Sequence, residues 1–154
     1  MSFFQLLMTF YLCLISVWDV RIRKIPVFLI YAGGIGVFVH FLITALFCGP
    51  STELARFLSA ALLGAVPGLI MTILSFYSSK VGIGDGIVLI IVGITESCTT
   101  IAIVMCLACI LLSVLAGILM LFGKVSRNTR MPYIPFVAFS YVLLKLYEGS
   151  YFLI

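Results

Sequence analysis

The stretch Val81-Gly82-Ile83-Gly84-Asp85-Gly86 interrupts a chain that is otherwise almost continuously apolar. It separates a long apolar run that ends at Tyr77 from a shorter one that begins at Ile87. Asp85 is one of only two aspartates in the chain, and the other, Asp19, follows the first apolar run. A carboxylate at the edge of a membrane is costly, so it is a candidate functional residue by default. We therefore predict that the two aspartates work as a pair.

The composition defines the class of protein. Of the 154 residues, 64% are hydrophobic and 9% are charged, whereas soluble domains have about 45–50% apolar and about 25% charged residues. A water-soluble fold of this length cannot bury so much apolar surface. We therefore predict an all-α, multi-pass membrane protein in which residues 1–154 form a single membrane-embedded domain.

The apolar runs predict about six transmembrane helices. A helix needs about 20 apolar residues to cross a bilayer, with a range of about 17–25. The predicted helices cover approximately residues 2–18, 26–47, 54–77, 87–94, 100–122 and 133–147. The fourth apolar run is short, and its helix crosses the bilayer only if it extends beyond the run in both directions. Gly64, Pro67 and Gly68 in the third predict a kink or a close contact with another helix.

The basic residues predict the orientation. Seven of them follow the first, third and fifth apolar runs: Arg21, Arg23, Lys24, Lys80, Lys124, Arg127 and Arg130. Only Arg56 and Lys145 fall on the other side. The positive-inside rule then predicts a cytoplasmic location for the seven-residue side and an extracytoplasmic location for both termini. Asp19 and Asp85 are expected at the cytoplasmic face. The net charge of +4 is explained by this topology and does not indicate a nucleic-acid partner.

A pair of carboxylates at one face is suited to hydrolysis. Two carboxyl groups held close together share a proton, because like charge and partial desolvation disfavour the ionisation of both. One can then activate a water while the other, protonated, polarises a peptide carbonyl. Gly82, Gly84 and Gly86 have no Cβ, so we expect an extended substrate to approach Asp85 closely there.

Other residues that could carry chemistry have simpler interpretations. Cys106-x-x-Cys109 has the spacing of a redox or metal motif, but it falls within an apolar run with no acid or histidine nearby, and a zinc site needs four ligands. We interpret these cysteines as packing residues and predict no metal site. His40 lies in the middle of the second run, and we interpret it as a packed or hydrogen-bonded helix residue.

Three segments together resemble the type IV prepilin peptidases, which are membrane aspartic proteases of the GxGD type. Residues 19–26, from Asp19 through a basic stretch to Ile25-Pro26, resemble the family's first aspartate segment. Gly82-Ile83-Gly84-Asp85 fits its second aspartate motif, at the start of the fourth helix. Residues 131–136, with Pro132 and Pro135, resemble the beginning of its last helix. The order of helices extends the resemblance over the whole chain.

The resemblance implies an activity, a site and a location. Such enzymes remove the short, basic leader from pilin-like precursors at the cytoplasmic face of the cell membrane, in type IV pilus assembly and protein secretion. By this resemblance Asp19 and Asp85 are the catalytic pair and no cofactor is needed. The precursor, with its leader and hydrophobic N-terminal helix, and membrane lipid are the expected partners. The oligomeric state stays open, as does the choice between bacterial pilin and archaeal flagellin-type substrates.

This chain also departs from the family pattern. Val27 stands where the family usually has Asn, and Ile87 stands where Lys is common, which affects positioning contacts rather than the aspartates. The chain is similar to the short, protease-only members found with tight-adherence (Flp-type) pili, without an N-methyltransferase domain. The alternative is a non-enzymatic membrane protein, either a small cation or proton transporter subunit that uses Asp19 and Asp85, or a scaffold of a secretion system.

Overall fold

The computed structural model describes residues 3–22, 25–47, 51–77, 82–123 and 131–151, without the side chains of 47, 51–54 and 149–151. Within these ranges the chain is all-helical, as predicted. The six helices are α1 (Phe3–Ile22), α2 (Val27–Phe47), α3 (Ser51–Tyr77), α4 (Ile83–Thr95), α5 (Cys98–Leu121) and α6 (Ile134–Tyr151).

Two helix boundaries differ from the prediction in a way that affects the aspartates. We expected the first helix to stop before Asp19, but α1 continues to Ile22 and Asp19 lies in its last part. The carboxylate of Asp19 is buried and hydrogen-bonded. The helix therefore does not have to end at Asp19 for this group to be solvated by water. We expected a loop at Gly84 to Gly86, but α4 already begins at Ile83. An acidic residue in the first turn of a helix is favourable, because it faces the positive end of the helix dipole.

In the part of the chain that the structure describes, four helices are long and apolar enough to cross a membrane. They cover Phe3–Ile22, Val27–Leu46, Ala55–Tyr77 and Cys98–Leu121. Helix α4 has only 13 residues, and α6 contains Lys145 and Glu148. The four long helices carry many exposed large apolar side chains, which suits contact with lipid. A helical membrane protein is therefore supported, while the crossing of all six helices stays a prediction.

The chain divides into two compact units. The first comprises Met1–Arg23 with Ile103–Ile154, and the second comprises Lys24–Ala102. Asp19 belongs to the first unit and Asp85 to the second.

In the second unit, α3 and α4 pack closely along a line of glycines. Gly64 of α3 faces the carbonyl oxygen of Gly93 so closely that neither position has room for a Cβ. A Cβ on Gly68 would lie 2.5 Å from the main-chain nitrogen of Ile90. Small residues allow helix backbones to approach in this way. The prediction of a close helix contact at Gly64 and Gly68 is confirmed, and Pro67 lies within a continuous helix.

Helix α2 completes the second unit. It also packs on α4, and its contact with α3 is aromatic. The rings of His40 and Phe57 are 5.8 Å apart in an edge-to-face arrangement, and the ring of Phe41 lies 6.1 Å from that of Phe57. The interpretation of His40 as a packed helix residue is confirmed.

In the first unit, α1 packs on α6 through one buried stripe on each helix. The stripe of α1 is Met8, Tyr11, Leu12, Ile15 and Asp19, and that of α6 is Ile134, Val137, Ala138, Tyr141 and Lys145. Asp19 near the end of α1 meets Ile134 at the start of α6, so the two helices are antiparallel.

Lys145 lies within α6, as predicted, and is part of this packing. Its side chain is buried, and its Nζ lies 3.0 Å from Glu148 Oε2. The same Nζ lies 5.6 Å from the ring centroid of Tyr141. A buried ammonium group needs such compensation, because removing it from water unpaired is very costly.

Candidate functional site

Asp19 is a buried carboxylate in the last part of α1. Its residue is only 5% exposed, whereas aspartate is almost never fully buried without a partner. Its Oδ2 accepts a hydrogen bond from the main-chain N–H of Ile134 at 3.3 Å. The carboxylate is therefore held in place by the start of α6.

The beginning of α6 explains why this N–H is available. The first N–H groups of a helix have no partner within it, and Ile134 is the first residue of α6. The carbonyl oxygen of Tyr133 accepts the N–H groups of Phe136 and Val137, at 3.1 and 3.3 Å. Pro132 lies just before the helix and Pro135 is its second residue, where a missing N–H costs nothing. The proline-containing segment thus starts a helix whose first donor points at Asp19.

Asp85 lies in the first turn of α4 and is partly exposed. Its main-chain N–H donates to the carbonyl oxygen of Gly82 at 3.1 Å. Gly82 has an extended backbone (φ −77°, ψ 131°), which any residue can adopt, so its conformation does not require glycine. A Cβ at Gly82 would lie 3.2 Å from Asp85 Oδ2. Gly82 therefore leaves space directly beside the carboxylate.

The other two glycines of the motif face protein. A Cβ at Gly84 would lie 3.1 Å from Ile25 Cδ1, a side chain next to Pro26. Gly86 is buried against Thr72 of α3, and a Cβ there would lie 2.8 Å from the main-chain nitrogen of Thr72. We expected all three glycines to admit a substrate. The structure instead supports a packing role for Gly86 and a contact with Ile25 for Gly84, which leaves Gly82 as the residue that borders Asp85.

Pro26 ends the first motif segment, residues 19–26, and directly precedes α2. Its carbonyl oxygen accepts the N–H of Leu29 at 3.0 Å, in the first turn of the helix. Ile25 extends from this point to Gly84. The Ile-Pro segment and the GxGD segment therefore meet within the second unit.

The structure thus joins the motif segments in two groups, one in each unit. In the first unit, Asp19 meets the proline-containing start of α6. In the second unit, the side chain of Ile25, which precedes Pro26, lies beside Gly84, the residue before Asp85. The pairing of Asp19 with Asp85, which joins the two units, stays a prediction.

Sequence reasoning missed Ile134 and Thr72. Ile134 acts through a main-chain N–H, which every residue except proline carries, so the sequence offers no signal for it. Thr72 is an ordinary position in an apolar helix and is identified only by the glycine it covers. The prolines beside Ile134 were the available signal, because they mark the helix start.

Metal binding has no support among the described residues. No group of three or more His, Cys, Asp or Glu side chains with a suitable arrangement occurs in the described ranges. Cys106 and Cys109 are free thiols and exposed on α5, whereas we expected them to pack. The Sγ of Cys109 lies 3.9 Å from the hydroxyl of Tyr133.

Among the described residues, six helices, four of them long and apolar enough to span a bilayer, support a helical membrane protein, and a buried aspartate held by a helix start is its candidate carboxylate site. Comparisons with protein-family models, with curated proteins and with solved structures found no match to this chain.

Proposed function

We propose that this chain is a membrane aspartic endopeptidase that removes the short, basic leader from pilin-like precursors at the cytoplasmic face. Asp19 and Asp85 are the catalytic pair of this proposal. The observation that carries it is the buried carboxylate of Asp19, fixed by the N–H of Ile134. Buried, oriented carboxylates at a membrane border are expensive to maintain, and function is the usual reason for them.

The position of Asp85 supports the same proposal. It stands at the start of α4, near the positive end of the helix dipole, which favours a carboxylate. Gly82 leaves open space on the side of Oδ2. A peptide segment needs such space to bring its carbonyl group within reach of the acid.

The proposed reaction needs one ionised and one protonated carboxyl group. The ionised aspartate takes a proton from a water, and the water oxygen attacks the carbonyl carbon of the scissile bond. The protonated aspartate donates its proton to the carbonyl oxygen, which forms a neutral tetrahedral intermediate. Collapse of the intermediate breaks the C–N bond as the nitrogen receives the proton that the first aspartate took from the water. A hydroxyl group of the intermediate gives its proton to the second aspartate, which leaves a carboxylic acid, a new amine and the pair in its starting state. Which aspartate begins in which state belongs to the pair and not to either residue.

The proposed topology follows from the basic residues. The segments of sequence that follow α1, α3 and α5 carry most of the Lys and Arg, so the positive-inside rule assigns them to the cytoplasm and both termini to the outside. If α1, α2 and α3 each cross once, the end of α1 and the start of α4 face the same side. A leader on the cytoplasmic side of the substrate's hydrophobic helix would meet both aspartates there.

The decisive experiment compares cleavage of a pilin-like precursor in membranes by the parent, Asp19→Asn and Asp85→Asn. Asparagine keeps the size and polarity but cannot take or share the proton. Each variant is expected to abolish cleavage while accumulating to the parental level. Glu96→Gln is the matched control, because it removes a carboxylate elsewhere in the second unit and should leave cleavage unchanged. Near-parental cleavage by either aspartate variant would contradict the proposal and favour the transporter or scaffold alternative.

A further inference from the structure

Helix α4 is too short to cross a bilayer. Its 13 residues extend about 20 Å at a rise of 1.5 Å per residue, and the hydrocarbon core of a bilayer is about 30 Å thick. If the end that carries Asp85 lies at one membrane border, the other end of α4 lies inside the bilayer.

The packing of α4 against α3 shows where the end of α4 distant from Asp85 lies. Gly86, near the start of α4, is covered by Thr72, and Gly93, near its end, lies against Gly64. The two helices are therefore antiparallel over this length. The carbonyl oxygen of Glu96, the residue that follows α4, also lies beside Gly64, 2.8 Å from the position that a Cβ would take.

Gly64 lies deep within the span of α3. The candidate membrane span of this helix carries the exposed Arg56 near its outer end and is apolar beyond it, so about 12 Å of helix separates Arg56 from Gly64. Phe57, in this outer part of α3, packs on His40 and Phe41 of α2. Helices α2 and α3 thus continue side by side beyond the level at which α4 ends.

The turn at this level is polar. The sequence runs Thr95-Glu96-Ser97-Cys98-Thr99-Thr100, and α5 begins at Cys98. The hydroxyl oxygen of Ser97 lies 2.9 Å from that of Thr99 and 2.8 Å from that of Thr100. Ser97 and Thr99 are exposed, and Glu96 is partly exposed. This turn therefore presents hydroxyl groups and a carboxyl group at a depth where α2 and α3 present apolar side chains.

Lipid cannot cover such a turn. Non-helical backbone at membrane depth is tolerated only where protein buries it or where it lines a water-filled cavity, and ionisable side chains in the hydrocarbon region are costly. We propose that residues 95–100 form the floor of a water-filled depression, open to the membrane side opposite Asp85. The depression shortens the apolar barrier around α4 to about the 20 Å length of that helix. This inference does not depend on the peptidase activity.

Cys98 is a native probe for this depression, because it lies in the turn and is partly exposed. A membrane-impermeant, sulfonated maleimide is applied to the full-length protein in sealed vesicles, from each side in turn, and the modified cysteines are mapped by mass spectrometry. Ile83→Cys, beside Asp85 and 46% exposed, marks the side of the aspartate. Ser97→Cys and Thr99→Cys provide two further probes at exposed positions.

The matched controls are Leu62→Cys and Leu63→Cys. These side chains are next to Gly64 along α3 but exposed, at 71% and 58%, so they lie at the depth of the turn and face lipid. We expect Cys98 to be modified at least tenfold faster than either control, and only from the side opposite Ile83→Cys. The wild-type protein tests Cys98 without any substitution, so a variant that fails to fold does not prevent the test.

Two results would overturn the inference. Lack of modification at Cys98, Ser97→Cys and Thr99→Cys from both sides would mean that no water reaches the turn. Equal modification of Leu62→Cys or Leu63→Cys would mean that this part of α3 projects from the membrane, so that the turn lies at the surface and no depression exists.

Discussion

The carboxylate of Asp19 on α1 and the main-chain N–H of Ile134 on α6 meet at 3.3 Å, although 115 positions separate them in the chain. This contact joins two of the three segments on which the resemblance to prepilin peptidases rests. It also gives the proline-containing segment a physical role, because a helix that starts there directs its first unpaired donor at the acid.

The first prediction concerns this donor. Ile134→Pro removes the N–H at a helix position that accepts proline, and Ile134→Val removes one methylene while keeping the N–H. We expect Ile134→Val to retain most cleavage and to lose about 0.5–1.5 kcal/mol of stability. Ile134→Pro is expected to lose cleavage by roughly a hundredfold, because the carboxylate is no longer held. The measurement is the rate of precursor cleavage at equal amounts of membrane-inserted protein.

The comparison separates positioning from packing. If Ile134→Pro and Ile134→Val cleave equally well, the N–H has no role in orienting Asp19. If Ile134→Val is as inactive as Ile134→Pro, the side chain rather than the donor is what matters.

The second prediction concerns the space beside Asp85. A Cβ in Gly82→Ala would lie 3.2 Å from Asp85 Oδ2 and displace the carboxylate by a few tenths of an ångström. The extended backbone of Gly82 accepts alanine, so stability should change little. Cleavage is expected to fall by about tenfold or more, since small misplacements of catalytic groups are costly. If Gly82→Ala also clearly lowers the thermal stability of the protein in detergent, its loss of cleavage does not come from a local displacement of the Asp85 carboxylate.

Gly84→Ala is the paired variant for this test. Its new Cβ would meet the flexible end of Ile25 at 3.1 Å, which can move aside. A smaller loss of cleavage than in Gly82→Ala is expected.

The third prediction concerns the contact between α3 and α4. Gly64→Ala and Gly93→Ala each place a Cβ against the main chain of the other helix, which cannot shift cheaply. We expect a loss of roughly 1–3 kcal/mol of stability, measured as the midpoint of unfolding in mixed detergent micelles. Gly34→Ala and Gly36→Ala on α2 are the controls, because neither new Cβ would have an atom within 4 Å apart from the adjacent residues and the helix's own backbone. The controls should be neutral or up to about 1 kcal/mol more stable.

The fourth prediction concerns substitutions that are expected to keep or raise stability, whereas those of the third lower it. Among the described residues, the hydroxyl groups of Tyr11 and Ser140 are buried and have no hydrogen-bond partner. Removing an unsatisfied buried hydroxyl removes its desolvation cost, about 1–3 kcal/mol. Ser140→Ala and Tyr11→Phe are therefore expected to unfold at the same or a higher denaturant concentration than the parent. A clear destabilisation by both substitutions would show that these hydroxyls have partners in the membrane.

Much of the fold could be predicted from the sequence, because hydrophobic runs of helix length are a local signal. The six helices and the second helix boundary at Phe47 follow from apolar composition and from punctuation by glycine, proline and charge. The end of α1 and the start of α4 were misjudged for one reason. Polar and glycine residues were taken to end a helix, although a tertiary contact can accommodate them within it.

The candidate site was identified only in part. The two aspartates proposed for it are conspicuous in the sequence, because charged residues are rare in so apolar a chain. The role of Gly86 was misjudged, because a glycine that admits a neighbouring helix looks the same in sequence as one that admits a substrate. Only the position of Thr72 distinguishes the two.

The sequence by itself determined that the chain is helical and suited to a membrane, and which residues are candidates for chemistry, because hydrophobicity, helix length and charge are properties of local segments. Only the tertiary structure decided that Asp19 is buried and receives the N–H of Ile134, and that α4 ends beside Gly64. These facts depend on contacts between segments distant in the chain. Such contacts arise from the packing of helix faces, which no single segment specifies.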